Sequence, residues 1–309
     1  MVRVLSVGVA VMDHVFRVDA FPTRPEKYRA KDAAMVGGGG GANAAVAIAR
    51  LGGEAWLAAR VGDDAIADAI LSDLAAEGVA TDLVRRHEGR RSSFSSVLVD
   101  DGGERQIVNY RDMGLSFDAG WLQERLGALA FDAVLADTRW PDGALAAMER
   151  ARELGVPGVM DAEAPVHEAA DAVRAASHVV FSAQGLRDFA GAPDGGQGEG
   201  EGGDLVAMLR DADGRLDALV GVTDGAEGVR WLDGGALRHA LPPRPPGPIV
   251  DTLAAGDVWH GALALALGEG QGLDSAMRFA NAAATLKCAG GTGRSGAPTR
   301  DAVEAALAE

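Results

Sequence analysis

From residue 115 onward, helical segments alternate with short apolar runs, and this alternation limits the possible folds more than any other feature. Segments 119–129, 142–154 and 167–176 carry helical patterning, while 133–136, 158–161 and 179–182 read as buried strands. Runs at 216–222 and 228–232 follow, then two helices at 255–267 and 273–287. Elements of these lengths in alternation build βαβ units around a mainly parallel sheet, the doubly wound α/β class. The start of the chain agrees. Residues 2–11 are a near-continuous apolar run, as expected of a strand covered on both faces. A helix at 42–51 ended by Gly52-Gly53, a strand at 55–61 and a helix at 65–77 stopped by Gly78 complete that half.

Two stretches break the rhythm. Alternating strands at 15–21 and 29–36, and again at 93–99 and 105–110 around Asp101-Gly102-Gly103, have no helices of their own. They predict a small β-sheet lid formed by residues 13–36 and 91–112, inserted in a single domain that spans 1–309. Residues 193–203, rich in glycine and acid, and the proline-rich 242–248 read as surface loops.

Charge narrows the partners. With 29 Lys+Arg against 45 Asp+Glu the net charge is −16, a field that repels nucleic acid and anionic membrane alike. An anionic small ligand needs cations gathered locally. The lone Cys288 excludes an intrachain disulfide and a cysteine-based zinc site. No apolar run reaches the ~20 residues of a membrane span. Residues 1–15 contain Asp13 and His14 and no small-residue cleavage pattern, so they read as a first strand rather than a signal peptide, and a cytoplasmic protein is expected.

Two segments carry chemistry. In Asp251-Thr252-Leu253-Ala254-Ala255-Gly256-Asp257, small residues let backbone N–H groups converge at a helix start and form an anion hole. Asp257 in the first turn is placed to take a proton from an attacking hydroxyl. The alternative is that the segment only caps a helix. In the second, Gly37–Gly41 open a helix, with Asn43 aimed at the same spot. Gly37-x-Gly39-x-x-Ala42 also satisfies a dinucleotide fingerprint, but it lacks the preceding core strand and the acid about 20 residues on. A Walker-type P-loop is excluded because the chain contains no Gly-Lys pair.

VGGGGGANAAVAIARLGGEAWLAARVGDD and DTLAAGDVWHGA together resemble the two signatures of the PfkB, or ribokinase-like, carbohydrate kinases, in that family's order and spacing. Val7-Gly8 with Asp13 resembles the family's opening strand, and Val222–Gly228 its nucleotide-binding turn. The resemblance covers essentially the whole chain. It implies a doubly wound α/β fold with a β-sheet lid that often forms a homodimer contact, and ATP-dependent phosphorylation of a sugar hydroxyl with Mg2+. Asp257 would be the base, and the amides of Ala254, Ala255, Gly256 and Asp257 the anion hole. Asp13, Gly38, Gly39 and Asn43 would meet sugar hydroxyls. Thr223, Gly225, Gly228, Asn281, Gly290 and Gly291 would surround the nucleotide. Asp251 and Ser295 resemble positions near a monovalent-cation site, such as one for K+.

Two departures stand out. Ala254 replaces the usual glycine, which requires an ordinary φ there or costs about 1 kcal/mol or more of strain. The counterpart of the family's Asn-x-x-Glu is Ser182-Ala183-Gln184-Gly185, without a carboxylate, so magnesium is expected to be held mainly by ATP and water.

Local phrases such as Glu26-Lys27-Tyr28, Ile107-Val108-Asn109-Tyr110 and Ala136-Asp137-Thr138-Arg139-Trp140 resemble the sulfofructose kinase branch. That branch phosphorylates 6-deoxy-6-sulfofructose at the 1-hydroxyl. By that resemblance Lys27, Asn109 and Arg139 would receive the sulfonate, a donor set able to hold a tetrahedral anion. Kinases for fructose phosphate, ketohexose, ribose or nucleoside are the alternatives within the class. A non-catalytic sugar or nucleotide sensor on the same fold and a nicotinamide-dependent oxidoreductase are the rivals outside it.

Overall fold

The computed structural model describes residues 1–102, 104–192 and 204–308, so the predicted loop 193–203 lies outside the described residues. In chain order the elements are β1 (Arg3–Val7), β2 (Val11–Arg17), β3 (Asp32–Gly38), α1 (Gly40–Arg50), β4 (Glu54–Gly62), α2 (Ala65–Ala76) and β5 (Ala80–His87). Then come β6 (Phe94–Val99), β7 (Arg105–Tyr110), α3 (Gly120–Gly127), β8 (Ala133–Asp137), α4 (Pro141–Leu154), β9 (Gly158–Ala162), α5 (Ala170–Ala175) and β10 (His178–Ser182). The last part holds α6 (Ala183–Phe189), α7 (Leu205–Arg215), β11 (Leu219–Thr223), β12 (Val229–Asp233), β13 (Ala236–Ala240), α8 (Ala255–Gly268), α9 (Leu273–Gly290) and α10 (Arg300–Ala308).

Nine strands form one sheet in the order β13-β12-β11-β10-β9-β8-β1-β4-β5, parallel from β11 to β5. The chain starts at β1, winds outward to β5, then returns to β8 on the other flank of β1. That reversal opens a crevice at the carboxyl ends of β1 and β8, where ligands enter open α/β sheets. Val4 and Leu5, successive residues of β1, sit in two different apolar clusters on opposite faces of the sheet. Burial on both faces explains why the β1, β8 and β9 segments read as unbroken apolar runs.

A separate four-stranded sheet, β3-β2-β6-β7, forms the lid. Its two antiparallel pairs are joined by a parallel contact between β2 and β6. The apolar run 2–11 is not one strand: β1 ends at Val7, and after Gly8, Val9 and Ala10 the chain enters the lid as β2. The first lid strands accordingly lie at 11–17 and 32–38 instead of 15–21 and 29–36, and the helix expected at 167–176 is a 3-10 turn, Val166–Ala169, followed by the short α5. Elements β5, β13, α6, α7 and α10 add to the pattern read from the sequence. β13 closes a hairpin through Gly234 and Gly235, both at positive φ, as a tight hairpin turn demands.

Candidate active site

Asp137, the last residue of β8, ties the crevice together. Its Oδ2 accepts the N–H of Val9 and of Gly41, each at 3.0 Å, and its Oδ1 accepts the N–H of Arg139 at 2.8 Å. Gly8 and Gly41 press against each other here, with a Cβ on Gly41 falling 2.9 Å from the Gly8 backbone. Of the five glycines, Gly37 and Gly38 end β3, Gly39 turns at φ 93, and Gly40 and Gly41 begin α1. A Cβ on Gly39 would stand 2.5 Å from the Val9 carbonyl oxygen, so backbone contact fixes glycine there.

Asp257 lies in the first turn of α8 and faces this bend. Its Oδ2 accepts the side-chain N–H of Asn43 at 2.7 Å, and its Oδ1 lies 3.5 Å from where a Cβ on Gly40 would be. Burial raises the Asp257 pKa to about 6; the Asn43 hydrogen bond opposes that rise, while Glu163 and Asp137 reinforce it. Ala254, the N-cap of α8, takes the left-handed conformation at φ 67 and is the one non-glycine residue with positive φ among the described residues. The substitution of alanine for glycine is therefore accommodated by strain, on the order of 1–2 kcal/mol, and not by an ordinary φ. The Ala255 N–H closes onto the Thr252 carbonyl at 3.2 Å. That leaves the Gly256 and Asp257 N–H groups, in the first turn, to face an anion.

Asp13 lies on β2, directly across from Val36 of β3 and Ser95 of β6, and Ser95 in turn stands across from Asn109 of β7. The Asn109 amide donates to the Ser95 hydroxyl at 3.1 Å, and Ser95 hydrogen-bonds Asp13. One line across the lid thus joins Asn109 to the Asp13 carboxyl, whose pKa burial raises against the pull of Ser95 and Arg294. A Cβ on Gly38 would collide with the Asp13 carboxylate. Arg139 leaves the end of β8, and its guanidinium meets Glu163 at 3.3 Å in a half-exposed pair. Two further arginines converge on it: Arg111 donates to the Arg139 carbonyl, as does Arg60 at 3.4 Å. Burial lowers the Arg60 pKa to about 10, helped by the neighbouring charge of Arg111, and its guanidinium lies over the rings of Phe117 and Trp140. Lys27 is exposed on the connection between β2 and β3.

Of the residues expected around the nucleotide, Thr223 ends β11 and Gly225 and Gly228 turn at positive φ; a Cβ on Gly228 would strike the Ala240 carbonyl. Asn281 reaches the same carbonyl from α9: it is buried, accepts from Trp259 Nε1 at 2.8 Å and donates to the Ala240 carbonyl at 2.8 Å. Gly290 and Gly291 end α9 and fold back against Gly296, close enough that a Cβ on Gly290 would lie 2.9 Å from the Gly296 carbonyl oxygen. His260 is also internal, between the Gly256 and Val180 carbonyls at 2.9 and 3.2 Å, with Asp161 at 3.4 Å.

The donors offered for metals differ in fit. Among the described residues no three His, Cys, Asp or Glu side chains gather as a cation cage. Asp251 and Ser295 do not fit a diffusible monovalent cation. The Asp251 carbonyl accepts from the Lys287 ammonium at 2.7 Å, its carboxylate from Leu253 N–H at 2.9 Å and Gly293 N–H at 2.7 Å, and Arg105 stands 3.4 Å away. The Ser295 carbonyl accepts from Arg50 at 2.8 Å, and its hydroxyl donates to Thr292.

Asp137, Asp161, Glu163, Ser95 and Lys287 were not singled out from the sequence. Asp137 and Asp161 sit side by side at the ends of β8 and β9. An acid at or near the end of an apolar parallel strand was the available signal, because that edge is where such sheets bind ligands. The Asp161 pKa is driven far up by burial and by Glu163, Asp257 and Asp137.

Comparison with known proteins agrees with this geometry. Residues 1–300 match the pfkB family carbohydrate kinase. The chain is 28% identical to a ribokinase from Bacillus subtilis over 99% of both chains. It is 33% identical to an ATP-dependent ribose-1-phosphate kinase from Halopiger xanaduensis over 100% of this chain and 99% of that one. It superposes with a TM-score of 0.90 on the crystal structure of a candidate ribokinase from Agrobacterium tumefaciens, at 35% identity, covering 100% of this chain and 98% of the other.

Proposed function

The chain belongs to the pfkB carbohydrate kinases, ATP-dependent phosphotransferases acting on sugar hydroxyls, and we propose that its acceptor is an anionic ketose, 6-deoxy-6-sulfofructose before others, phosphorylated at the 1-hydroxyl. The observation that carries the reading is the meeting of the Arg60 and Arg111 guanidiniums on the carbonyl of Arg139, the residue whose N–H binds Asp137 at the end of β8. In a chain of net charge −16, two guanidiniums on one backbone carbonyl, beside a third arginine side chain, support a local field for an anion. Among the described residues Arg139 pairs with the half-exposed Glu163, an exchangeable partner. Asn109 would act on the same sugar through the Ser95–Asp13 line, and Lys27, exposed on the lid connection, would complete the set.

In the reaction, Asp13 and Asn43 orient the sugar, and Asp257 takes the proton from the acceptor hydroxyl. The Gly256 and Asp257 N–H groups receive the developing charge on the transferred phosphoryl group. ATP carries Mg2+, which supplies charge neutralisation on the phosphates. The turn at Thr223, Gly225 and Gly228 and the Gly290–Gly291 fold border the nucleotide.

A second reading, ribose or ribose 1-phosphate as acceptor, draws on the named activities of the two relatives above. A panel of sulfofructose, fructose 6-phosphate, fructose, ribose, ribose 1-phosphate and nucleosides, assayed by ADP formation, separates them. Sulfofructose is expected to give the highest kcat/KM, and Arg139→Ala to raise its KM while sparing neutral sugars. Preference for ribose, or no effect of Arg139→Ala, sinks the anionic-ketose assignment. No turnover of any sugar, with ATP still bound, would favour a sensor.

A further inference from the structure

Lys287 lies in the last turn of α9 with none of its side chain exposed to solvent. Its ammonium donates to the Asp251 backbone carbonyl at 2.7 Å and stands 3.7 Å from Asp251 Oδ2. The grip is reinforced by the next residue, whose carbonyl accepts the N–H of Val250 and of Asp251 at 2.8 and 3.2 Å. Asp251 passes the constraint on in two directions. Its Oδ1 takes the N–H of Leu253, the residue before the strained Ala254, and its Oδ2 takes the N–H of Gly293, just past the Gly290–Gly291 fold. A carbonyl and a mostly covered carboxylate turned toward one point, with Arg105 3.4 Å from the carboxylate's outer oxygen, call for a positive charge between them, supplied either by a dehydrated ion or by the protein itself.

We propose that Lys287 is a tethered ammonium that does the work of a diffusible monovalent cation, holding the 251–257 loop in its phosphate-binding shape so that turnover needs no K+. Lys287 touches neither sugar nor nucleotide; it is a positioning residue acting through Asp251. The Arg50 guanidinium on the Ser295 and Ala297 carbonyls, at 2.8 and 2.9 Å, closes the neighbouring acceptors in the same way. Burial lowers the Lys287 pKa and Asp251 opposes that fall. The inference rests on the reading of residues 254–257 as the phosphoryl site.

The test uses the full chain in buffers of tetramethylammonium, Na+ or K+ at equal ionic strength. Wild-type turnover is expected to agree within about twofold across the three, and its Tm to be unmoved by K+, because no ion binds the native state. Lys287→Met is expected to lose roughly 100-fold in kcat with little change in either KM, and to recover part of it in K+ or NH4+. Its Tm should rise with K+ where the wild type's does not. Stimulation of the wild type by K+ of about fivefold or more, a wild-type Tm that climbs with K+, or full activity of Lys287→Met without K+ each overturns the proposal. Should Lys287→Met fail to fold, the wild-type cation series decides. Should no sugar be phosphorylated, the function proposed above fails, and the two Tm series still judge Lys287.

Discussion

The side-chain amide of Asn43 donates to Oδ2 of Asp257 at 2.7 Å across 214 residues of sequence. Each residue opens a helix, α1 and α8, and the two N-termini thereby point at one spot. Asn43 also sets the basicity of Asp257, because its hydrogen bond favours the ionised carboxylate while burial and the neighbouring acids favour the neutral one.

The pH–rate profile should report that balance. As the proposed base, Asp257 must be ionised to accept a proton, so kcat/KM is expected to rise with pH through about 6 and then level off. Removing the hydrogen bond by Asn43→Ala should move this acid limb to higher pH and lower the rate at neutral pH. A limb left in place by Asn43→Ala would dissociate the pair.

Asp257→Asn should trade activity for stability. Loss of the base is expected to lower kcat by about 10³, with sugar and ATP KM little changed. The folded-state pKa is raised, so ionising Asp257 works against folding: stability falls as pH climbs from 3.8 through about 6 and stays reduced above it. The gap corresponds to about 3 kcal/mol at most. Thermal melts should therefore place the Asn variant several degrees above wild type at pH 8, with the difference shrinking by pH 4.

Ala254→Gly should relieve the left-handed strain at the N-cap of α8. We expect a net stabilisation of about 0.5–1 kcal/mol after the entropy that glycine gains in the unfolded chain, read from urea midpoints, with kcat within about twofold of wild type. Ala254→Val, branched at Cβ, should lose both stability and turnover.

Gly38→Ala tests whether Asp13 must keep its place. The added methyl occupies the position of the Asp13 carboxylate, so the sugar KM is expected to rise roughly tenfold or more while the ATP KM holds. Equal loss of both would mean that the lid had misfolded; unchanged kinetics would remove Asp13 from the sugar site.

Much of this molecule is legible in its residues. The βαβ rhythm follows from apolar runs long enough for strands and helices. The tie from Asn43 to Asp257 follows from two small-residue segments that could each only open a helix. What was not legible depends on partners far apart in sequence. Nothing in the sequence marks Lys287, which α9 carries beneath the Asp251 carbonyl. Nothing there shows either that Trp259 binds the amide oxygen of Asn281. The break between β1 and β2 was hidden because Val9, Ala10 and Val11 are as apolar as the strand before them, although the second belongs to another sheet. The Gly234-Gly235 pair is the local sequence signal for the β12–β13 hairpin.

Asp13 stands on a lid strand, while Asp257 belongs to the core, and only residues 8–10 join β1 to β2. In the proposed reaction the acceptor sugar bridges the two bodies, met by Asp13 from the lid and by Asn43 and Asp257 from the core. An outward swing of the four-stranded sheet, at the four crossings 8–10, 39, 88–93 and 111–119, would then undo capture and alignment together, so that product departs by the movement that ends catalysis.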